Sequence, residues 1–476
     1  MSRKLALITF GCQMNVHDSQ RMEDLMRAAG YEVSDEVEGA DVVVLNTCSV
    51  REKAEQKLRS EAGRLKKHDA VLVVAGCVAQ QEGEALVRDM PFVDVVVGPD
   101  NLHELPGLVR EAELGASPAV RTVFDVDSPR FLTHGATSAP VGASAYVTVM
   151  KGCDERCSFC VVPYTRGPER YRAADDIVAE VRALADGGAR EVVLLGQTVN
   201  SYLDPGVAVD AAADPDESQF PALLERIARE APGLDRLRYT SPHPRHLTAS
   251  LVRAHATLDL LSTHVHMPVQ SGSDRVLKRM IRRYTRAEYV ARVTALRGAR
   301  PGVTLSTDII VGFPGETAAD FEATLSLVRE VGFVSLFGFK YSPRPHTPAL
   351  RLDDDVPEEE KQARLAALFE VSEAQTRAHL ATLVGARAEE YRFARYVEDW
   401  RTKIERIGNL NYPEAARQQK LYGNLLITVA IKSDGTLENV EIVRTSGSRI
   451  LDAAAVRIVE MSAPFAPFPP DIKRDT

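Results

Sequence analysis

Apolar runs recur through the first hundred residues and alternate with longer stretches that have a helical pattern. The runs occupy residues 5–10, 41–45 and 70–75, and the helical stretches occupy residues 18–29 and 51–67. Unbroken apolar runs are typical of strands that are buried on both faces, and crossovers of this length join parallel strands. The pattern therefore predicts an α/β fold, with a doubly wound parallel sheet in a first domain of residues 1–120.

A second alternation of strand and helix patterns follows a linker at residues 121–144. Six strands are predicted, at residues 146–150, 191–195, 236–240, 263–269, 304–311 and 335–341. Helical patterns lie between them at residues 174–185, 221–230, 273–280, 286–296 and 318–331. Eight such units close a full barrel. Six units predict an open, partial (βα)6 barrel over residues 145–385, with its site at the carboxyl ends of the strands.

Composition and charge narrow the class of protein. Apolar residues make up 45% and charged residues 26% of 476 residues, and the formal net charge is -9. We find no apolar run of about 18 residues that could span a membrane, and no signal-peptide pattern at the N-terminus. These features predict a cytoplasmic protein. The negative charge argues against a general polyanion binder, so any nucleic acid would have to contact a local basic patch.

Three cysteines form a CxxxCxxC run directly after the first strand of the barrel, at Cys153, Cys157 and Cys160. Three thiolates on one loop can hold three corners of a [4Fe-4S] cluster and leave the fourth iron open for chemistry. A structural zinc site normally has four ligands, and no fourth Cys or His lies nearby in the sequence. Six cysteines in 476 residues also disfavour a disulfide scaffold. Zinc or unrelated thiols remain the less favoured alternatives.

Three further cysteines follow the three strands of the first domain. Cys12, Cys48 and Cys77 each come just after an apolar run. Because the carboxyl ends of parallel strands meet at one edge of a sheet, we expect these thiols to converge. A single cysteine is commonly a small buried hydrophobe. Three at equivalent positions predict a second three-thiolate cluster site.

Polar and glycine residues at the strand ends of the barrel are candidate cofactor contacts. They are Gly196, Gln197, Asn200, Ser241, Gln270, Asp308 and Gly312. The alternative for each is an ordinary tight turn, which Gly and Pro favour. His264 and His266 alternate along one strand and so face the same side, but no third ligand accompanies them. We interpret these histidines as barrel-interior or structural residues, with metal binding as the less favoured alternative.

The cysteine pattern resembles two known groups of enzymes. A CxxxCxxC loop after the first strand of an α/β segment is similar to the radical S-adenosylmethionine (SAM) superfamily. The sequences GCQMN at residues 11–15, NTCSVR at 46–51 and FCVVPYTRG at 159–167 closely resemble the methylthiotransferase family. The resemblance extends from the N-terminus to about residue 385. One departure is Tyr171, where that family usually has serine, and it leaves the cluster ligands unchanged.

The resemblance implies a reaction and a set of cofactors. Cys153, Cys157 and Cys160 would hold the [4Fe-4S] cluster that cleaves SAM to a 5′-deoxyadenosyl radical. Cys12, Cys48 and Cys77 would hold a second [4Fe-4S] cluster that carries the sulfur, so all six cysteines are candidate catalytic residues. Two SAM molecules would be used to insert a methylthio group at carbon 2 of N6-isopentenyladenosine at position 37 of a tRNA.

The resemblance also implies partners. These are the tRNA anticodon stem-loop and an electron donor such as flavodoxin or ferredoxin, with no membrane and a monomeric chain. Arg166, Arg170 and Arg344 are candidate basic contacts with tRNA, with ordinary solvated or barrel-rim charges as the alternative. Other members of the family act on threonylcarbamoyl-adenosine in tRNA or on an aspartate of a ribosomal protein, and these substrates remain alternatives.

The C-terminal part of the chain does not fit this family. Beyond Gly385 we do not find the small β-barrel RNA-binding (TRAM) domain with which the family usually ends. Residues 393–476 instead resemble the C-terminal domain of TonB, through NYPEAA at 411–416, the turn SDG at 433–435 and a proline-rich run at 464–469. An Asp-Gly turn between alternating strands at 425–431 and 440–444 predicts a hairpin. A helix at 450–461 would complete a small α+β domain.

The function of this tail is open at the level of sequence. It lacks the membrane helix and proline-rich spacer of TonB, and it reaches Thr476 where a last strand is expected, which predicts an unpaired edge. Its positive and negative side chains nearly cancel, so it is a poor replacement for an RNA-binding domain. A natural fusion, an artificial one and two reading frames joined by error are the alternative origins. A non-catalytic TonB-like docking or scaffold protein is the competing class of function.

Overall fold

The computed structural model describes most of the chain. The described residues are 3–49, 52–134, 141–208, 214, 216–387, 400–401, 403–404, 406–408, 413, 425–446 and 448–467. The chain separates into two compact units, Met1–Gln375 and Thr376–Thr476.

The first unit begins with a six-stranded parallel sheet. Its strands are β1 Arg3–Phe10, β2 Tyr31–Ser34, β3 Val42–Thr47, β4 Val71–Gly76, β5 Val95–Val97 and β6 Ala119–Arg121. Their order across the sheet is β2-β1-β3-β4-β5-β6, and every neighbouring pair is parallel. The predicted doubly wound parallel sheet is therefore confirmed. Strands β2, β5 and β6 were not predicted because they are only three or four residues long.

Helices cover both faces of this sheet. They are α1 Gln13–Ala28, α2 Glu52–Leu65, α3 Cys77–Glu82, α4 Glu84–Asp89 and α5 Leu105–Glu113. One apolar cluster packs α2 and α4 on the sheet, and a second packs α1 and α5 on the opposite face. Helix α1 begins five residues before the predicted start. Its first turns look exposed in the sequence because they are polar, but Asn15 and Asp18 are buried.

The second part of this unit is an open barrel. Strands β7 Ser144–Thr148, β10 Glu191–Leu195 and β11 Arg236–Tyr239 form one parallel sheet, in the order β11-β10-β7. Strands β12 His264–His266, β13 Thr304–Val311 and β14 Ser335–Lys340 form another, in that order. A parallel bridge from Leu237 to Leu261 links the two sheets. Six strands with β7 and β14 at the edges of the described sheets confirm the partial barrel.

Short elements and helices surround these strands. Strands β8 Met150–Lys151 and β9 Arg170–Tyr171 form a small antiparallel pair beside the cysteine loop. The helices are α6 Val162–Thr165, α7 Ala174–Asp186, α8 Phe220–Glu230, α9 Ala249–Thr257, α10 Asp274–Arg279, α11 Arg286–Ala299, α12 Ala318–Val331 and α13 Glu358–Arg387. Alternate strand residues such as Val192, Leu237 and Leu305 pack against the helices in one large apolar core. The intervening strand residues therefore face the barrel interior.

The second unit contains the predicted hairpin and helix. Strands β15 Leu426–Ile431 and β16 Leu437–Arg444 pair antiparallel, and helix α14 Arg449–Ser462 packs on β16. Asp434 accepts hydrogen bonds from the backbone and hydroxyl of Thr436 in the turn. Residues 411–412, 414–416 and 468–476, which include part of the TonB-like motifs and the expected last strand, lie outside the described residues. Within the described residues, no helix has both the length and the apolar character needed to cross a membrane.

Candidate active site

The CxxxCxxC loop lies at the carboxyl end of the barrel, after β8. Cys157 is buried and Cys153 and Cys160 are partly exposed. The loop is closed by a hydrogen bond from the backbone N–H of Cys153 to the carbonyl of Gly167, 3.1 Å long. Gly152 has φ +79°, and a Cβ on it would lie 1.8 Å from the carbonyl oxygen of Pro168. Only glycine fits at this entrance to the loop.

The electrostatics of the loop suit a bound cation. Burial raises the pKa of Cys153 above its ordinary range, and burial followed by the charge of Cys157 raises the pKa of Cys160 to about 12. Such thiols stay protonated at neutral pH unless iron draws off their protons. Cys160 and Cys157 both raise the pKa of Cys153, and Cys157 raises that of Cys160, so the three sulfurs lie close together. Three adjacent thiols on one loop fit a [4Fe-4S] cluster.

Residues from other parts of the barrel form hydrogen bonds with the cysteine loop. The Cys153 sulfur lies 3.0 Å from the hydroxyl of Thr198. Glu155 is buried, and its Oε1 lies 2.9 Å from Nε2 of His246. The hydroxyl of Ser158 donates to the carbonyl of Arg279, 2.8 Å away, and so ties the loop to the end of α10. These contacts were not predicted, because they join residues far apart in the sequence.

The cysteines of the first domain lie at one edge of its sheet. Cys12 precedes α1, Cys48 follows β3, and Cys77 is the first residue of α3. A hydrogen bond between Cys12 and Cys48 lowers the pKa of Cys12 to about 6. Burial raises the pKa of Cys77, and the charge of Cys12 adds to this effect. The structure therefore brings together the three thiols that the sequence placed at equivalent strand ends.

A buried network of amides supports these thiols. Nδ2 of Asn15 donates to Oδ1 of Asn46 over 3.1 Å, and Nδ2 of Asn46 donates to the hydroxyl of Ser19 over 2.9 Å. The sulfur of Cys12 lies 3.3 Å from Oδ1 of Asn15. A Cβ on Gly76 would lie 2.3 Å from Oδ1 of Asn46. Small residues beside the thiols therefore leave room for the amides that position them.

Arg166 joins the two cysteine sets. It lies six residues after Cys160, directly after α6, and is buried. Its Nε donates to the sulfur of Cys77 over 3.3 Å, and a terminal nitrogen donates to Asp18 over 2.6 Å. The sheet of the first domain and the cysteine loop of the barrel are thus linked through one side chain.

The first turn of α1 also covers the barrel. Met14 packs against Val193 and Leu195 of β10 and against Tyr146 of β7. His17 lies 3.4 Å from the hydroxyl of Thr148, at the carboxyl end of β7. Both cysteine sets therefore lie at the same end of the barrel.

The three arginines proposed as tRNA contacts do not form a basic surface. Arg166, Arg170 and Arg344 are all buried. Arg166 pairs with Asp18 at 2.6 Å, Arg170 pairs with Asp100, and Arg344 pairs with Glu55 at 3.1 Å. Each pair joins the barrel part of the chain to the first domain. The expectation was wrong because sequence alone does not show a carboxylate more than 60 residues away.

Several strand-end residues predicted to contact a cofactor have partners within the chain. Oε1 of Gln197 accepts a hydrogen bond from the backbone of Gly152. Asn200 donates from Nδ2 to the carbonyl of His243 over 2.9 Å, and its Oδ1 accepts from the N–H of His243 over 2.7 Å. A Cβ on Gly196 would lie 2.6 Å from the side chain of Met150. These three residues therefore stabilise the carboxyl-end rim of the barrel, where the strands end and the cysteine loop lies.

The other four predicted cofactor contacts are Ser241, Gln270, Asp308 and Gly312. Ser241 and Gln270 have positive φ, +54° and +72°, which is uncommon for residues other than glycine and concentrates at functional sites. Oδ2 of Asp308 lies 3.4 Å from Nε2 of His266. The N–H of Gly312 donates to Glu316 over 2.6 Å. Direct contact of these residues with a cofactor remains a prediction.

The two histidines of β12 bind hydroxyl groups inside the barrel. Nδ1 of His264 lies 2.8 Å from the hydroxyl of Thr304, and Nδ1 of His266 lies 2.9 Å from that of Ser306. These contacts agree with the barrel-interior interpretation. Among the residues that the structure describes, no three His, Cys, Asp or Glu side chains surround a single metal ion. A cluster distributes its cysteines over separate irons, so this finding is compatible with the two thiol sets.

Family models match three segments of the chain. Residues 4–98 match the "Uncharacterized protein family UPF0004", residues 147–328 match the "Radical SAM superfamily", and residues 408–476 match the "Gram-negative bacterial TonB protein C-terminal". The chain is also similar to a solved structure of the radical S-adenosylmethionine methyltransferase TsrM from Kitasatospora setae, with TM-score 0.50 and 17% identity. The similarity covers 73% of this chain and 77% of that chain. It supports the fold alone.

Curated relatives are much closer in sequence. The tRNA-2-methylthio-N(6)-dimethylallyladenosine synthase of Sorangium cellulosum is 67% identical over 402 residues, which cover 81% of each chain. Those of Bordetella petrii and Anaplasma marginale are 49% and 47% identical, over 81% of this chain and 80% and 83% of theirs. The chain belongs to the tRNA-2-methylthio-N(6)-dimethylallyladenosine synthase family.

Proposed function

We propose that this chain is a radical SAM methylthiotransferase that acts on tRNA. It inserts a methylthio group at carbon 2 of N6-isopentenyladenosine at position 37, and it uses two SAM molecules for each product. The names of the close relatives and the radical SAM match of residues 147–328 support this function. The structural observation that carries it is the contact of Arg166, which follows the CxxxCxxC loop by six residues, with the sulfur of Cys77.

Each cysteine set has a role in this proposal. Cys153, Cys157 and Cys160 would hold the [4Fe-4S] cluster that binds SAM, and Cys12, Cys48 and Cys77 would hold a second [4Fe-4S] cluster. When bound, these groups supply the electron that cleaves SAM and the sulfur that is transferred. The second cluster rests on the convergence of its three thiols and on the guanidinium that faces one of them.

The protein positions the reacting groups and excludes water from them. Met14 and its apolar partners on β7 and β10 cover part of the barrel's carboxyl end. A radical needs such a covered site, because exclusion of water prevents side reactions. The rim residues with strained backbone, Ser241 and Gln270, are the candidates for contact with bound SAM. Gly196, Gln197, Asn200, Asp308 and Gly312 complete the proposed rim.

The partners follow from the proposed reaction. The anticodon stem-loop of tRNA is the substrate, and a small electron-transfer protein such as flavodoxin or ferredoxin supplies electrons. The enzyme acts as a cytoplasmic monomer. We assign the first domain to residues 1–120, the linker to 121–144, the barrel to 145–385 and the TonB-like domain to 393–476.

The experiment that tests this function uses two matched RNAs. Anaerobically reconstituted protein is given SAM, a reductant and an anticodon stem-loop with or without the isopentenyl group. We expect 5′-deoxyadenosine to form in the reaction. We expect nucleoside mass spectrometry to detect the methylthio product only on the isopentenylated RNA. Equal modification of both RNAs would refute the substrate, and a lack of 5′-deoxyadenosine would refute the radical mechanism. The Cys157→Ala chain is the control and should form neither product.

A further inference from the structure

Arg282 is a buried cation that faces the cysteine loop. Its residue exposure is 5%. One terminal nitrogen donates to the sulfur of Cys157 over 3.3 Å, Nε donates to the hydroxyl of Tyr284 over 2.9 Å, and the other terminal nitrogen donates to the carbonyl of Pro268 over 2.9 Å. All three guanidinium nitrogens are therefore directed by the fold.

This guanidinium forms no ion pair with a carboxylate of the described chain, unlike Arg166, Arg170 and Arg344, which each have one. An arginine stays charged in a protein, and a buried charge is costly unless an anion compensates it. Of the three hydrogen-bond partners of Arg282, the sulfur of Cys157 is the one that would be a ligand of the cluster. The anion that this site requires is therefore a cluster thiolate.

The backbone on both sides of Arg282 has an uncommon, left-handed conformation. Ile281 and Arg283, on either side, have φ of +57° and +53°. A β-branched residue such as isoleucine rarely adopts this conformation, and strained backbone of this kind concentrates at functional sites. The same turn is bound to the cysteine loop, because the N–H of Ser158 donates to the carbonyl of Met280 over 3.0 Å. The turn and the loop thus hold the guanidinium and the sulfur at a fixed separation.

We propose that Arg282 raises the reduction potential of the cluster at Cys153, Cys157 and Cys160. Its hydrogen bond and charge stabilise the extra electron of the reduced cluster, and both hydrogen bonds to cluster sulfurs and local charge are known to set such potentials. Arg282 is a positioning and tuning residue, since it reaches the cluster through Cys157. This inference rests on the proposed radical SAM cluster but not on the second cluster.

The test is a reduction potential measured without SAM. The chain with Cys12, Cys48 and Cys77 changed to alanine serves as the parent, so that one cluster of about four irons contributes. Arg282→Met removes the charge and the donors, and Arg282→Lys keeps the charge. In a titration followed by electron paramagnetic resonance, we expect Arg282→Met to be at least about tenfold harder to reduce, a shift of about 59 mV for one electron. Arg282→Lys should stay closer to the parent.

Controls separate this inference from the proposed function. Arg300→Met removes a guanidinium that binds backbone carbonyls of residues 255, 258, 259 and 261, before β12 and away from the cysteine loop, and it should leave the potential unchanged. An Arg282→Met chain that keeps its iron and titrates with the parent would overturn the inference. If Arg282→Met loses its iron, Arg282→Gln, which keeps amide donors but removes the charge, is titrated in its place, and a potential equal to that of the parent would overturn the inference. A parent without a cluster at this loop would contradict the proposed function.

Discussion

Single buried arginines connect the elements of this enzyme. Arg166 binds both Asp18 and Cys77, and its guanidinium is almost fully removed from water. Burial alone would raise the pKa of Asp18, but Arg166 and His17 lower it further than burial raises it. The pair is thus held in its ionised form. A side chain with this set of contacts is expected to affect both stability and the second cluster.

The first prediction concerns Arg166→Met. Loss of one partner leaves Asp18 as a buried charge without compensation, so we expect the free energy of unfolding to fall by about 3–5 kcal/mol. Iron bound at Cys12, Cys48 and Cys77 should fall as well. Arg64→Met is the control, because Arg64 pairs with Glu61 at 3.2 Å on the exposed side of α2. It should cost less than about 1 kcal/mol. Equal losses in the two chains, measured by thermal denaturation, would contradict this account of Arg166.

The second prediction concerns pH and His255. Burial, with a contribution from Arg300, lowers the pKa of His255 to about 4. In the unfolded chain the pKa is near 6.5, so the unfolded state binds the proton first as pH falls. The stability contribution is complete above about pH 6.5 and is lost as pH falls toward 4, by about 2 kcal/mol at pH 5. Nε2 of His255 lies 2.6 Å from the hydroxyl of Tyr239, on the buried side of α9.

The measurement compares His255→Gln with the unchanged chain. Glutamine can still bond to Tyr239 but does not titrate. Between pH 7 and pH 5 the thermal midpoint of the unchanged chain should therefore fall further than that of the variant. Parallel curves for the two chains would show that His255 does not contribute to the pH dependence.

Residue-scale contacts were also the hardest to predict from the sequence. The six cysteines could be identified because each has a local signature, either the CxxxCxxC spacing or a position after an apolar run. Arg166 and Arg282 could not, since they bind sulfurs 89 and 125 residues away. Arg166 lies in the motif FCVVPYTRG at residues 159–167, which resembles the family. A sequence motif shows that a residue belongs to a pattern but not which atom it contacts.

The strands and helices were predictable where their apolar pattern is long. Strands β10, β11, β13 and β14 and helix α12 Ala318–Val331 agree with their predicted positions to within one residue, because alternating burial leaves a period in the sequence. Strand β7 lies two residues earlier than predicted, at Ser144–Thr148. Strand β12 is shorter than expected and covers only His264–His266. The start of α1 was missed because buried hydrogen bonds between Asn15 and Asn46 help to hold its first turn, which is mostly polar. A pattern of hydrophobicity does not reveal a buried polar network.

The third prediction concerns packing between elements. A Cβ on Gly272 would lie 2.5 Å from the carbonyl oxygen of Ala323 and 2.6 Å from Cα of Thr324, both in the backbone of α12. Since that backbone cannot move like a side chain, we expect Gly272→Ala to reduce the free energy of unfolding by about 1–3 kcal/mol.

A matched glycine in helix α11 provides the control. A Cβ on Gly298 would meet nothing within 4 Å. Gly298→Ala should therefore stabilise the chain by up to about 1 kcal/mol, because alanine is the better helix former. If both substitutions change the thermal midpoint in the same direction, close packing at Gly272 is not the cause.

At the scale of the whole molecule, the chemistry belongs to one unit. All six cysteines lie within Met1–Gln375, as do the contacts of Arg166 and Arg282. The TonB-like match begins at residue 408. Cluster binding and SAM cleavage should therefore be independent of the C-terminal unit.

The fourth prediction tests this independence by truncation. A chain that ends at Arg387, the last residue of α13, should keep the iron content of the full chain and form 5′-deoxyadenosine at a similar rate. Its thermal unfolding should retain the main transition, since the apolar cores of the sheet and the barrel are intact. Loss of more than about half of the iron on truncation would show that the C-terminal unit supports the cluster sites.

The central claim is that two sets of three cysteines each hold a [4Fe-4S] cluster at one end of the barrel. The most direct measurement is the iron and sulfide content of anaerobically reconstituted protein, with Mössbauer spectra to identify the cluster type. We predict about eight irons in the unchanged chain. We predict about four when Cys12, Cys48 and Cys77 are alanine, and about four when Cys153, Cys157 and Cys160 are alanine. An unchanged chain that binds only four irons would contradict the claim.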